Sequence, residues 1–176
     1  MATSGAFACP VFCLAGLLLV GSAAAVQLWA MDVEAQVEGF IARYSDGVAA
    51  QIRAARAEMR RRLPGAYELV YDNFNALAIG YGSSEKLEDV VFSIACFPRW
   101  VRLFFFHGAR LDDPEGRLEG GGNQVRSLKL PDLSVLDEPA VGALMAQALA
   151  AQPIPPDAGG RTLVKGVSPN PRRRRG

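Results

Sequence analysis

The sequence predicts an α+β fold: an antiparallel sheet of about five strands packed against an N-terminal helical pair and a C-terminal helix. Apolar residues recur at steps of three and four from Val33 to Leu63, the spacing of one helix face. After Ala66 the pattern changes to short runs rich in β-branched and aromatic residues, separated by turn residues. From Pro139 the helical step returns. A chain of 176 residues suits one domain with chain to spare at both ends, and composition divides it into an apolar leader (1–30), a domain body (31–151) and a tail rich in Pro, Gly and Arg (152–176).

The leader carries no charged side chain. Three readings compete for it. As a secretory signal it has an apolar run and a small-residue stretch at Ala23-Ala24-Ala25, yet it lacks a basic start. As a membrane anchor it has the length, because about twenty apolar residues span a bilayer as a helix. The third and preferred reading is an upstream start that is not used, with translation beginning at Met31 just before the first amphipathic helix. On that reading the protein is cytoplasmic, and it meets a membrane or is secreted only if residues 1–30 are retained. Cys9 and Cys13 lie in the leader, which leaves Cys96 alone in the body, so no internal disulfide staples the domain.

Within the body, Val33, Val37, Phe40, Ile41 and Tyr44 form the stripe of a first helix. Asp46 is placed to cap a second helix, which turns Val48, Ile52, Ala55, Met59 and Leu63 inward and stops at Leu63-Pro64-Gly65. Arg60, Arg61 and Arg62 stand in its last turn, where cations suit the carbonyl end of the helix dipole. Strands are expected over 66–71, 76–81, 87–97 and 101–106. The short connections between them favour antiparallel neighbours, since a parallel return needs a crossover of a dozen residues or more. A fifth strand is expected over 124–130. Pro139 then opens a helix that buries Val141, Leu144, Met145 and Leu149. The tail, with its Pro-Ile-Pro-Pro, Gly-Gly and Arg172–Arg175 runs, reads as disordered.

Charge narrows the functional classes. Residues 31–151 hold 13 basic and 17 acidic side chains, a net charge of −4, and the basic excess is confined to the tail. A nucleic-acid domain spreads Lys and Arg over one face to neutralise phosphates, so no nucleic-acid partner is expected.

Two stretches carry a resemblance. Tyr71-Asp72-Asn73-Phe74-Asn75-Ala76-Leu77, and the passage FSIACFPRWVRLFFFHGARLDDPEGRLEGGGNQVRSLKL from Phe92 to Leu130, resemble the YdhG-like family, a domain of unknown function, over roughly residues 32–150. Family members commonly have Lys where this chain has Asn123, and often His where it has Ser127. The resemblance implies an α+β domain with helices on an antiparallel sheet. It also implies a non-enzymatic intracellular binding domain, because some relatives are described as frataxin-like iron chaperones. Iron is thus the metal that the resemblance points to.

The candidate residues follow from this frame. A carrier of a hard cation needs surface carboxylates that hold it loosely; here these are Asp112, Asp113 and Glu115, with Glu119 and His107 nearby. Each has a plainer use. Asp113 before Pro114 suits the start of a turn, its carboxylate accepting orphan amides, and a single histidine rules out a multi-His metal centre. Glycines 120–122 read first as tight-turn residues and second as an amide nest for an anion, backed by Arg117 and Arg126. Tyr71, Asp72 and Asn73 form either an Asx turn or one wall of a small-ligand cleft shared with Trp100, His107 and Arg126. Cys96 in an apolar strand reads as a small hydrophobe rather than a nucleophile, and no catalytic residue is expected. A carrier uses some of Asp72, Trp100, His107, Asp113 and Arg126 and requires those side chains to converge on one concavity. The alternative is a scaffold in which Phe74, Trp100 and Phe104–Phe106 make a self-association surface, giving a homo-oligomer.

Overall fold

The computed structural model describes residues 33–172 and Arg174. Helix α1 covers 33–41 and α2 covers Asp46–Arg62. Five strands follow, β1 (Tyr67–Asp72), β2 (Leu77–Gly82), β3 (Val90–Cys96), β4 (Val101–Phe105) and β5 (Arg126–Leu130), then helix α3 (Pro139–Ala151) and strand β6 (Thr162–Val167). The leader expected over 1–30 lies outside the described residues. No helix among the described residues is long and apolar enough to cross a membrane.

β1 to β5 form an antiparallel meander, and the register explains the core. Val70, Ile79, Ile94, Leu103 and Leu128 stand opposite one another from strand to strand, so they fall in one row on one face of the sheet. That face is covered by Val37, Phe40 and Ile41 of α1, Ile52, Ala55 and Met59 of α2, and Val141, Leu144 and Met145 of α3. Each helix buries the stripe that its apolar spacing defines. Two boundaries differ from expectation. Leu87–Asp89, expected in strand, form a 3₁₀ turn that leads into β3. The N-cap of α2 is Ser45, whose side chain makes no capping bond, and Asp46 is the first helical residue; it contributes only its charge to the positive end of the helix.

The larger correction concerns the tail. The sheet has six strands in the order β5-β4-β3-β2-β1-β6, and β6, inside the segment expected to be disordered, pairs parallel to β1. An unpaired β1 edge would present a row of free amides and carbonyls, and Thr162–Val167 covers it. Averaged over 25 residues, the Pro, Gly and Arg content hides this six-residue run. A close backbone approach brings it in: a Cβ on Gly160 would fall 2.1 Å from the Ala66 carbonyl oxygen, so only glycine passes there.

A buried charge network pins the same edge. Glu68 accepts hydrogen bonds from Arg56 (2.7 and 3.0 Å), Arg60 (2.7 Å), the Tyr81 hydroxyl (3.0 Å) and the Thr162 hydroxyl (2.8 Å). Burial alone would raise the pKa of Glu68, and the two guanidiniums outweigh it and hold the carboxyl below its ordinary range. Arg60, Arg61 and Arg62 therefore do more than face a helix dipole. Arg60 joins this network, Arg61 and Arg62 pair with Glu58, and Arg62 also reaches Asp137.

Candidate functional site

The strand register sends the candidate residues to two ends of the sheet. Asp72, Leu77, Cys96, Val101 and Leu130 are aligned at one end. The β1–β2 turn with Asn73 and Phe74 and the β3–β4 turn with Trp100 project there, closed by the Asn73 amide on the Ala76 carbonyl (3.0 Å) and the Phe97 amide on the Trp100 carbonyl (2.9 Å). Glu68, Tyr81, Phe92 and Phe105 mark the opposite end, with Arg126 beside Phe105 and His107 two residues beyond it. At about 3.3 Å per residue, a six-residue strand separates the two groups by roughly 20 Å. Tyr71, Asp72, Asn73 and Trp100 are thus brought near one end, and His107 and Arg126 near the other. The single concavity expected from the sequence does not form.

At the hairpin end the chemistry is closed. The Asp72 carboxylate is fully buried and pairs with Arg43 (2.7 Å) and with Arg174 of the tail, whose side chain is itself only 1% exposed. An Asx turn at Asp72 is therefore not what this carboxylate makes. Tyr44, at the end of the first helical segment, donates its hydroxyl proton to the Cys96 carbonyl (2.6 Å) and accepts from the Leu77 amide (3.0 Å) and from Arg174 (2.5 Å). Burial pushes the Tyr44 phenol up to about 12, and Arg174 draws it only part of the way back. Cys96 is buried, and burial pushes its thiol far up, as suits a small apolar side chain. Nothing in the sequence pattern singled out Tyr44, Arg43 or Arg174. Tyr44 is spaced as a core residue, and Arg174 lies among four consecutive arginines.

The His107 end is open. A cavity of about 660 Å³ is bounded by Val91, Leu111, Ala148 and Ala151 as apolar wall and by His107, Arg110, Gln147 and Gln152 as polar rim. Three elements build it. The 3₁₀ turn Gly108–Arg110 follows β4 and is held by the Arg110 amide on the His107 carbonyl (3.0 Å) and the Ala109 amide on the Gln124 carbonyl (3.0 Å). Gly108 is required there, because a Cβ would stand 2.5 Å from the Arg126 Cβ. The last turns of α3 form the facing wall, and Gln147 ties them to the loop by a reciprocal pair with the Asp112 backbone (2.9 and 3.0 Å). Gln152, just past the helix, leaves its Oε1 buried without a hydrogen-bond partner. His107 Nδ1 lies 3.3 Å from the Gln124 amide nitrogen.

The remaining candidates have structural partners. Asp113 accepts the backbone amides of Arg117 (3.0 Å) and Leu118 (2.7 Å), the capping use its sequence context suggests. Asp112 contributes backbone atoms, and Glu115 is exposed. Glu119 pairs with Arg102 and Lys129. Among the described residues no three His, Cys, Asp or Glu side chains are grouped so that they could hold a metal ion. Arg126 donates to the carbonyls of Gly122 and Val125, and Arg117 pairs with Glu138, so both guanidiniums that would back an anion nest are turned to other partners.

No protein-family model, curated protein or solved structure matches this chain.

Proposed function

We propose that this chain is a non-enzymatic small-ligand carrier of YdhG-like type, binding at the His107 cavity. One observation carries the reading: a cavity of about 660 Å³ with an apolar wall and four polar side chains at its rim. This is the size and composition of sites that enclose small organic molecules. Arg110 and His107 at the rim offer partners to a polar or anionic group. The ligand class that fits is a small molecule with an apolar body and a polar or anionic group. Such a molecule suits the cavity better than a bare iron ion, because Asp113 spends both oxygens on backbone amides and Asp112 and Glu115 do not join His107 in a group.

A thermal-shift screen of the full chain tests this, with small amines, amides and organic acids beside ferrous iron, other divalent cations, phosphate and nucleotides. A ligand that binds only the folded form raises the apparent Tm. Ala151→Trp fills the cavity from an exposed position and is expected to abolish the shift. No shift with any compound, or an equal shift in Ala151→Trp, would overturn the reading.

A second reading, a self-associating scaffold, is favoured by Phe74 and Trp100, which are 56% and 51% exposed at the hairpin end, whereas Phe105 is buried in the core and Phe104 and Phe106 are half-buried, so the surface expected over Phe104–Phe106 is reduced to these two. It predicts a mass in solution that rises with concentration and falls back in a Phe74→Ser, Trp100→Ser double variant.

A further inference from the structure

The Arg174 contact at the hairpin end has the form of a receptor with its ligand in place. The body of the domain supplies every acceptor: Asp72 Oδ1, the Asn73 carbonyl (2.6 Å) and the Tyr44 hydroxyl. These acceptors are held by bonds that do not involve the Arg174 side chain. Tyr44 is fixed by its bonds to Cys96 and Leu77, Asp72 by its place in β1 and by Arg43 on its other oxygen, and Asn73 by the closed β1–β2 turn. The Tyr44 ring lies 5.2 Å from the guanidinium carbon, within reach of a cation–π contact. A planar fork that meets several acceptors at once, beside an aromatic ring, is the chemistry that separates arginine from lysine.

We infer that this slot is a binding site for the guanidinium of an arginine-bearing peptide segment, and that Arg174 is its resident, exchangeable ligand. Two observations point to exchange. Arg174 Nε is buried without a hydrogen-bond partner, so the tail delivers its arginine with one donor unsatisfied. The described backbone bonds that guide it past β6 are the Ser168 amide on the Asp72 carbonyl (2.7 Å) and the Arg172 amide on the Phe74 carbonyl (2.9 Å), both at the rim of the hairpin. A peptide arriving from outside competes with a tethered arginine whose effective concentration is of millimolar order. Emptying the slot therefore raises its apparent affinity for an outside arginine.

The probe is a labelled synthetic peptide of residues 168–176, SPNPRRRRG, and a control in which all four arginines are replaced by lysines, which keeps the charge and removes the guanidiniums. Binding is read by fluorescence anisotropy on the full chain and on Arg174→Ala. The arginine peptide is expected to bind Arg174→Ala at least tenfold more tightly than the unaltered chain and at least tenfold more tightly than the lysine peptide does. Adding Asp72→Asn is expected to remove that difference. Equal binding of the two peptides, or equal binding to the two chains, would overturn the inference. Should Arg174→Ala not fold, hydrogen exchange on the unaltered chain decides: a millimolar arginine peptide is expected to speed exchange at the Ser168 and Arg172 amides, and unchanged rates refute exchange of the tail.

Discussion

The Asp72 cluster at the hairpin end and the His107 corner of the opposite end treat their polar side chains in different ways, while the Glu68 network at the β1 edge of that opposite end is closed like the first. At the hairpin end Asp72, Tyr44 and Arg174 are buried and bonded to one another, so each charge or hydroxyl is held in a single geometry. At the other end His107, Arg110, Gln147 and Gln152 ring a cavity. The difference teaches where to look for a ligand. A bonded cluster that the chain has closed around itself, with Arg174 Nε left over, contributes to stability and gives up its site only by exchange. Polar side chains around open volume contribute little to stability and leave chemistry available to a partner.

The sharpest way to break this comparison is to remove one group from each end. Asp72→Ala strands Arg174 beside Tyr44 with its carboxylate gone. Losing one partner of a buried ion pair costs about 3–5 kcal/mol when the other is trapped. Arg174 follows a segment whose described backbone bonds past β6 are those of Ser168 and Arg172, so it can swing out to water and the lower figure, about 3 kcal/mol, is expected. His107→Ala removes a half-exposed side chain with no ion pair and is expected to change stability by less than about 0.5 kcal/mol. Urea titrations of both variants measure the pair. Equal losses would mean that the two ends are not energetically distinct.

The same contrast explains what the sequence disclosed. The meander was legible because each strand is a run of β-branched and aromatic residues bounded by turn residues, and the helices because Val33 to Leu63 and Val141 to Leu149 keep one face apolar. These are local signals. β6 was not legible, because its reason to form is the free edge of β1, nearly a hundred residues earlier, together with the Glu68 network that Thr162 completes. The amide-accepting use of Asp113 is legible because its partners are four and five residues away. Asp72 was read as a local turn or part of a cleft, whereas its partners come from α1's end and from the last residues of the tail. The candidate set divided for the same reason. Sequence proximity placed Trp100 beside His107, and an intervening five-residue strand sends them to opposite ends of the sheet.

A smaller effect sharpens the comparison from the side of pH. The Tyr44 hydroxyl donates its proton to one hydrogen bond and accepts two, and its folded pKa is raised from 10.0 to about 12. Because the folded state holds the proton more tightly than the unfolded chain, this contribution is complete below pH 10 and is lost as pH rises toward 12. The ionised phenolate can no longer donate to the Cys96 carbonyl, and burial opposes its charge. Tyr44→Phe is expected to cost about 1–3 kcal/mol at neutral pH through the unpaired Cys96 carbonyl and Leu77 amide, and to flatten the alkaline decline above pH 10. Tyr81 is a second buried phenol whose pKa burial raises, so the decline is reduced rather than abolished. An alkaline limb unchanged in Tyr44→Phe would place the sensitivity at Tyr81 and detach it from the hairpin end.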